Sequence, residues 1–291
     1  MGRIERSLSL FKSSWSVVQT DRELLALPVI SALVNVVVMA SFAVPAWFSL
    51  EETRTVSSYG ATPTTSMSPT IATYLIGAAF YFVTAFVVIF FNAALVVGAN
   101  ERFEGGNPSL GSAIAGARSR VGLILQWAAV SATVSMVIRQ IQERGGLIGR
   151  IIGGLIGFAW AVVTFLVLPM LVIEGVGVRE AFRRSTEAVR TTWGENLIGQ
   201  GGMGLVGLLA ILPCVAVGIA GAFVASVSMV LGIVLIGVAV IAFLVVMVVM
   251  SAMGVIYQTA LYRFTTQRPV LGFEPIALAG AFAPKKSRRL G

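Results

Sequence analysis

Histidine is missing from this 291-residue chain, and with it the commonest proton shuttle and metal ligand. A single cysteine, Cys214, excludes a disulfide framework or a thiolate metal cluster within one chain. Charge is scarce: Asp, Glu, Lys and Arg make up 12% of the residues, and none occurs between Leu197 and Tyr262. A phosphate-cradling Gly-x-x-x-x-Gly-Lys loop, a Gly-x-Ser-x-Gly elbow and a pair of carboxylates spaced to meet inside a membrane are also absent. The glycines of Gln200-Gly201-Gly202-Met203-Gly204 follow no strand, so they read as helix-packing residues rather than a nucleotide loop. With no catalytic constellation left, the expectation is a protein that is not an enzyme and uses no cofactor.

What is abundant is apolar surface. A hydrophobic content of 57% and a mean hydropathy of +0.90 place the chain in the membrane class. The net charge of +8 does not point to nucleic acid, because the basic residues are divided among short segments flanking apolar runs. The pattern predicts an all-α integral membrane protein, a single membrane domain over 1–291 with six transmembrane helices at about 24–50, 71–99, 121–138, 147–173, 196–226 and 228–262. The uncharged stretch that holds the last two has its only soft spot at Ser226 to Ser228. The third span is the weakest, since about eighteen residues barely cross a core of ~30 Å. Residues 51–70, rich in Ser, Thr and Pro, read as a loop; Asn107 and Pro108 read as the cap and first residue of a short helix. Val44-Pro45-Ala46 has the look of a cleavage site, but the polar lead and the apolar run are both too long for a signal peptide, so an uncleaved first span is expected.

Amphipathic helices flank the spans on the cytoplasmic side. Residues 1–23 carry Ile4, Leu8, Phe11, Trp15 and Val18 on one face, and 177–193 carry Phe182, Ser185, Val189 and Trp193, with Arg183, Glu187 and Arg190 off that face. Aligning Trp15 with Trp193 sets Arg6-Ser7 against Arg184-Ser185, and a fainter copy, Arg118-Ser119, precedes Trp127. Convergent interfacial composition and an internal repeat both account for this. Six spans with cytoplasmic termini put 17 of 21 Lys and Arg inside, including the basic tail 263–291; a re-entrant third span would leave 10 inside and 11 outside. The misfits, Arg139, Arg144 and Arg150 in the outer turn, either snorkel to headgroups or line the way in for an anion.

Gly149, Gly153 and Gly157 recur every four residues and mark a face where another helix comes close. Glu174, after Pro169 and before Gly175 and Gly177, is either a boundary carboxylate paired with Arg179 or a neighbour, or an ion or proton site. Asn35, Asn92 and Gln126 are mid-span amides suited to interhelical hydrogen bonds or a pore lining.

Glu23-Leu24-Leu25, Phe91-Asn92-Ala93-Ala94-Leu95, Gly106 to Ala113, Pro169 with Glu174-Gly175-Val176-Gly177, Glu180-Ala181, Arg184-Ser185 and Thr192-Trp193-Gly194-Glu195 together resemble a prokaryotic family of integral membrane proteins known only as a domain of unknown function. The resemblance implies architecture and a bacterial or archaeal cytoplasmic membrane; it carries over no catalytic or binding residue. Two readings of function stay open. One is a structural or interaction protein that associates with itself or a membrane partner and holds the anionic inner leaflet with its basic tail. The other is a small channel or permease for an anionic solute. Convergence of polar side chains on one cavity discriminates them.

Overall fold

The computed structural model describes residues 19, 21–55, 64–188, 190 and 202–271. After a 3-10 turn at Arg22–Leu25 come helix α1 (Ala26–Phe48), strands β1 (Leu50–Thr55) and β2 (Thr64–Pro69), and helices α2 (Ile71–Phe103), α3 (Leu110–Ser119), α4 (Val121–Arg144), α5 (Gly146–Val163), α6 (Val178–Ala188), α7 (Gly202–Ala225) and α8 (Met229–Thr265). Six stretches are long and apolar enough to cross a bilayer: Glu23–Phe48, Ile71–Phe103, Val121–Arg144, Gly146–Glu174, Gly207–Ala225 and Met229–Thr265. The protein is an all-α integral membrane protein apart from one small hairpin.

That hairpin corrects the loop expected at 51–70. β1 and β2 pair antiparallel, Leu50 opposite Pro69 and Thr55 opposite Thr64, as threonine-rich segments do when their ends are held together. The holding is visible: Thr70 Oγ1 and Thr73 Oγ1 donate to Ser49 O at 2.7 and 2.8 Å, while Thr70 and Thr73 form a capping box that starts α2.

Most of the buried residues gather at one end. Counting about 20 residues, the length that crosses the hydrocarbon, from Ile71 along α2 stops just short of the fully buried run Ala93–Val96. The same count from Met229 along α8 ends just before Ala252, from Gly146 it ends at Leu166, and backwards from Phe48 it ends just short of Leu27. At 33 and 37 residues, α2 and α8 are about 50 and 55 Å long and overshoot the membrane together. The reason is physical: inside lipid an apolar side chain gains nothing by leaving the acyl chains, so Phe223 and Val230 stay exposed, whereas beyond the lipid the hydrophobic effect builds a core. Within the crossing parts burial is sparse and falls mainly on small residues, such as Ala132, Gly149, Gly153 and Ala239.

Other boundaries differ from expectation. α3 is capped by Ser109, whose side chain and that of Ser112 reciprocate, while Asn107 instead accepts from Arg102 at 3.1 Å. α4 continues to Arg144 rather than stopping near 138, because Gln140, Glu143 and Arg144 are good helix formers and Glu143 pairs with Arg139 one turn away. The fourth span is not one continuous helix: α5 stops at Val163, one turn follows at Val167–Pro169, and a π turn covers Met170–Glu174.

Candidate functional site

Pro169 explains the break. It has no amide hydrogen for the carbonyl four residues back, Phe165, and its ring crowds that carbonyl. Gln258 of α8 donates its side-chain amide to Phe165 O in place of the missing group. Two further backbone groups at the break are met by α6: Ser185 Oγ donates to Val163 O at 2.5 Å and accepts from Leu166 N–H at 3.3 Å. Ser185 is fully buried. The apolar face of α6 thus packs on the adjacent ends of the spans, with Ala181 buried and Phe182 5.8 Å from Trp160, which in turn stacks on Trp127 at 6.0 Å and 21°.

At the end of the π turn the carboxylate of Glu174 accepts the Tyr262 hydroxyl and, at 3.0 Å, Arg184. Its cationic neighbour is therefore Arg184 and not Arg179. Arg184 also binds Glu180 at 2.6 Å, and Arg183 grips Glu180 through two nitrogens at 2.8 and 3.0 Å. Hydrogen bonds from Arg183 and then Arg184 hold the Glu180 carboxyl down to about 2, and the same contacts raise both guanidinium groups. A carboxylate whose folded value is depressed contributes stability that is present above its ordinary value of 4.5 and is lost as pH falls through the folded value. Melting should therefore show an acid limb between about pH 4.5 and 2, and that limb should shrink in Glu180→Gln; superimposable profiles would exclude the pairing as its source.

Gly175 follows in the left-handed region, φ 70°, and a Cβ there would lie 2.6 Å from the Arg120 guanidinium carbon. The arginine can swing aside, but the backbone strain stays. Gly175→Ala should cost about 1–2 kcal/mol, and Gly177→Ala, which meets nothing within 4 Å, much less, both read by melting in one detergent.

The same end carries two more charged ties. Asp21, buried ahead of α1, takes the Arg102 guanidinium through both carboxylate oxygens. Arg263, also buried, donates to Asn100 at 2.6 Å, Glu104 at 2.7 Å and the Pro269 carbonyl at 2.9 Å, and its hydrogen bond pulls the Glu104 carboxyl below its ordinary value.

The remaining sequence candidates lie apart. Asn92 is half-buried and has no hydrogen-bond partner among the described residues; Gln126 is exposed. Asn35 donates to Ser31 O of its own helix at 2.9 Å, and its buried Oδ1 has no partner among the described residues. Arg139 and Arg150 both line an open recess of about 780 Å³ between α4 and α5, with Glu143, Gly157 and Trp160. Thirteen residues of α4, about 20 Å, separate Arg139 from Gln126, so these positions form no single pathway. Gly149 and Gly153 face α4 itself. Trp193, Arg6, Ser7 and Trp15 lie outside the described residues, as does Val189. Of the fainter copy, Ser119 is exposed and bonds Gly116 O within its own helix, unlike Ser185.

Tyr262, Gln258 and Arg263 escaped the sequence reading. Their signal was faint: Gln258 and Tyr262 share a helical face at four-residue spacing, at the end of the longest uncharged stretch.

A sequence model for a family of unknown function, DUF6159, matches residues 71–271, well over half of the chain. The chain belongs to that family. In this DUF6159 member the matched region spans the helix break, α6 and every residue bound to it. No curated protein and no solved structure matches the chain.

Proposed function

We propose that this DUF6159 member is a non-enzymatic structural or interaction protein of a bacterial or archaeal cytoplasmic membrane, with both termini cytoplasmic. One observation carries the reading. A broken membrane helix serves a carrier when its freed backbone groups face a solute or an ion; here Val163 O, Phe165 O and Leu166 N–H are taken by Ser185 and Gln258 of the same chain. The break is a joint, and it fixes α6 and the long ends of α2 and α8 as a rigid platform beyond the lipid. Its partners would be the anionic inner leaflet, met by the basic tail, and a second copy or another membrane protein; no nucleic acid is involved. Native-detergent mass spectrometry should return a defined oligomer or a stoichiometric membrane partner, and proteoliposomes should pass no anion. Anion flux through the purified protein would overturn the reading in favour of the permease, which Arg139 and Arg150 in one recess support; Arg150→Gln would then reduce that flux.

Orientation has its own test. Ser57→Cys and Ser66→Cys should react with an impermeant thiol reagent in intact cells, and Ser287→Cys should not. Labelling at 287 without permeabilisation would invert the topology.

A further inference from the structure

The recess between α4 and α5 changes character along its length. Near the α4–α5 turn it presents the exposed guanidinium groups of Arg139 and Arg150; further along come Ile138 and Gly157, and then Trp160. From Arg150 to Trp160 is ten residues of α5, about 15 Å of axial rise. That is half the thickness of a hydrocarbon core of ~30 Å, about the length over which one acyl chain extends. Glu143 engages Arg139 through Nε, at 2.9 Å, and among the described residues the two terminal nitrogens of that guanidinium have no hydrogen-bond partner and Arg150 has no ion-pair partner. Gly157 lowers the wall, since a Cβ there would only just touch Ile138 at 3.7 Å. A soluble anion uses the arginines and none of the rest.

We propose that this recess binds one anionic phospholipid from the leaflet at the α4–α5 turn, its phosphate between Arg139 and Arg150 and one acyl chain running down past Gly157 to Trp160. The charge matches the headgroup, and the depth matches a single chain. The two arginines lie at the opposite end of the spans from the helix break, and the site does not rest on the function proposed for that end.

The test uses the full-length protein in detergent, delipidated and titrated with phosphatidylglycerol carrying one brominated chain, with tryptophan quenching as the readout. Quenching should saturate near one lipid per chain, fall sharply in Trp160→Phe, and need roughly tenfold or more lipid in the Arg139→Gln, Arg150→Gln double variant, since charge-assisted hydrogen bonds are lost at both positions. Both arginines are exposed, so the double variant should melt like the parent protein. Gly157→Leu, which fills the floor without touching the arginines, should also reduce quenching. Phosphatidylcholine should quench more weakly, and inorganic phosphate should not displace the brominated lipid. Equal affinity in the double variant, or undiminished quenching in both Trp160→Phe and Gly157→Leu, would overturn the proposal. Displacement by inorganic phosphate would do so too, and would assign the arginines to a free anion.

Discussion

Ser185→Ala is expected to destabilise the protein by about 2–4 kcal/mol, although it removes one oxygen atom. Ser185 is fully buried, and its hydroxyl serves both Val163 O and Leu166 N–H at a break where the helix cannot serve them itself. Alanine leaves two buried backbone groups unpaired, each costing about 1–3 kcal/mol. Ser119→Ala is the control: Ser119 follows an arginine and stands eight residues ahead of a tryptophan just as Ser185 does, but it is exposed and bonds only its own helix. It should shift stability by less than about 0.5 kcal/mol. Thermal melting of both variants in a single detergent decides the matter. Equal effects would mean that the two Arg-Ser pairs do the same job, and the contrast in burial would be irrelevant.

Gly149→Leu is expected to cost about 3 kcal/mol or more, by driving the α4–α5 hairpin apart. A Cβ at 149 would lie 2.5 Å from the Ile141 carbonyl oxygen, and a backbone carbonyl in a helix cannot step aside. At Gly153 the nearest atom belongs to the flexible Gln142 side chain, so the same substitution should cost less there. Gly154→Leu should be nearly neutral, because a Cβ at 154 meets nothing within 4 Å and faces away from α4. Folded yield and melting temperature should follow the order 154, 153, 149 from mildest to worst. If Gly149→Leu folds and melts like the parent protein, the close packing of α5 on α4 is not what holds the hairpin.

The crossing helices could be read from residues alone because lipid acts on each span separately: some 20 uncharged apolar residues suffice, whatever their neighbours do. The charged pairs of α6 are local too, since Glu180 reaches Arg183 and Arg184 within about one helical turn. The glycine row could be read as a place of close approach, but not that the helix approaching is the one just before it in the chain. Asn107 was mistaken for a cap because Ser109 and Ser112 offered a better, reciprocal one two residues later. The reach of α4 to Arg144 was missed because a charged stretch after an apolar one looks like a turn, while outside the membrane it is simply good helix.

What the sequence determined by itself follows from local and solvent forces: six membrane helices, a one-sided distribution of basic residues and an amphipathic α6. Pro169 withholds the amide hydrogen that a continuing helix would give Phe165 O, but proline alone does not decide a break, since Pro45 and Pro213 lie inside α1 and α7 without ending them. Only the tertiary structure decided that the break is closed, because its closure comes from Ser185, 22 residues on from Val163, and Gln258, 93 residues on from Phe165. Glu174 likewise became a joint between Tyr262 and Arg184 because α8 overshoots the membrane and returns its last turns to the same end. Contacts at such separations depend on how helices assemble once the hydrophobic effect acts on the parts that leave the lipid, and no local pattern of residues encodes which of them will meet.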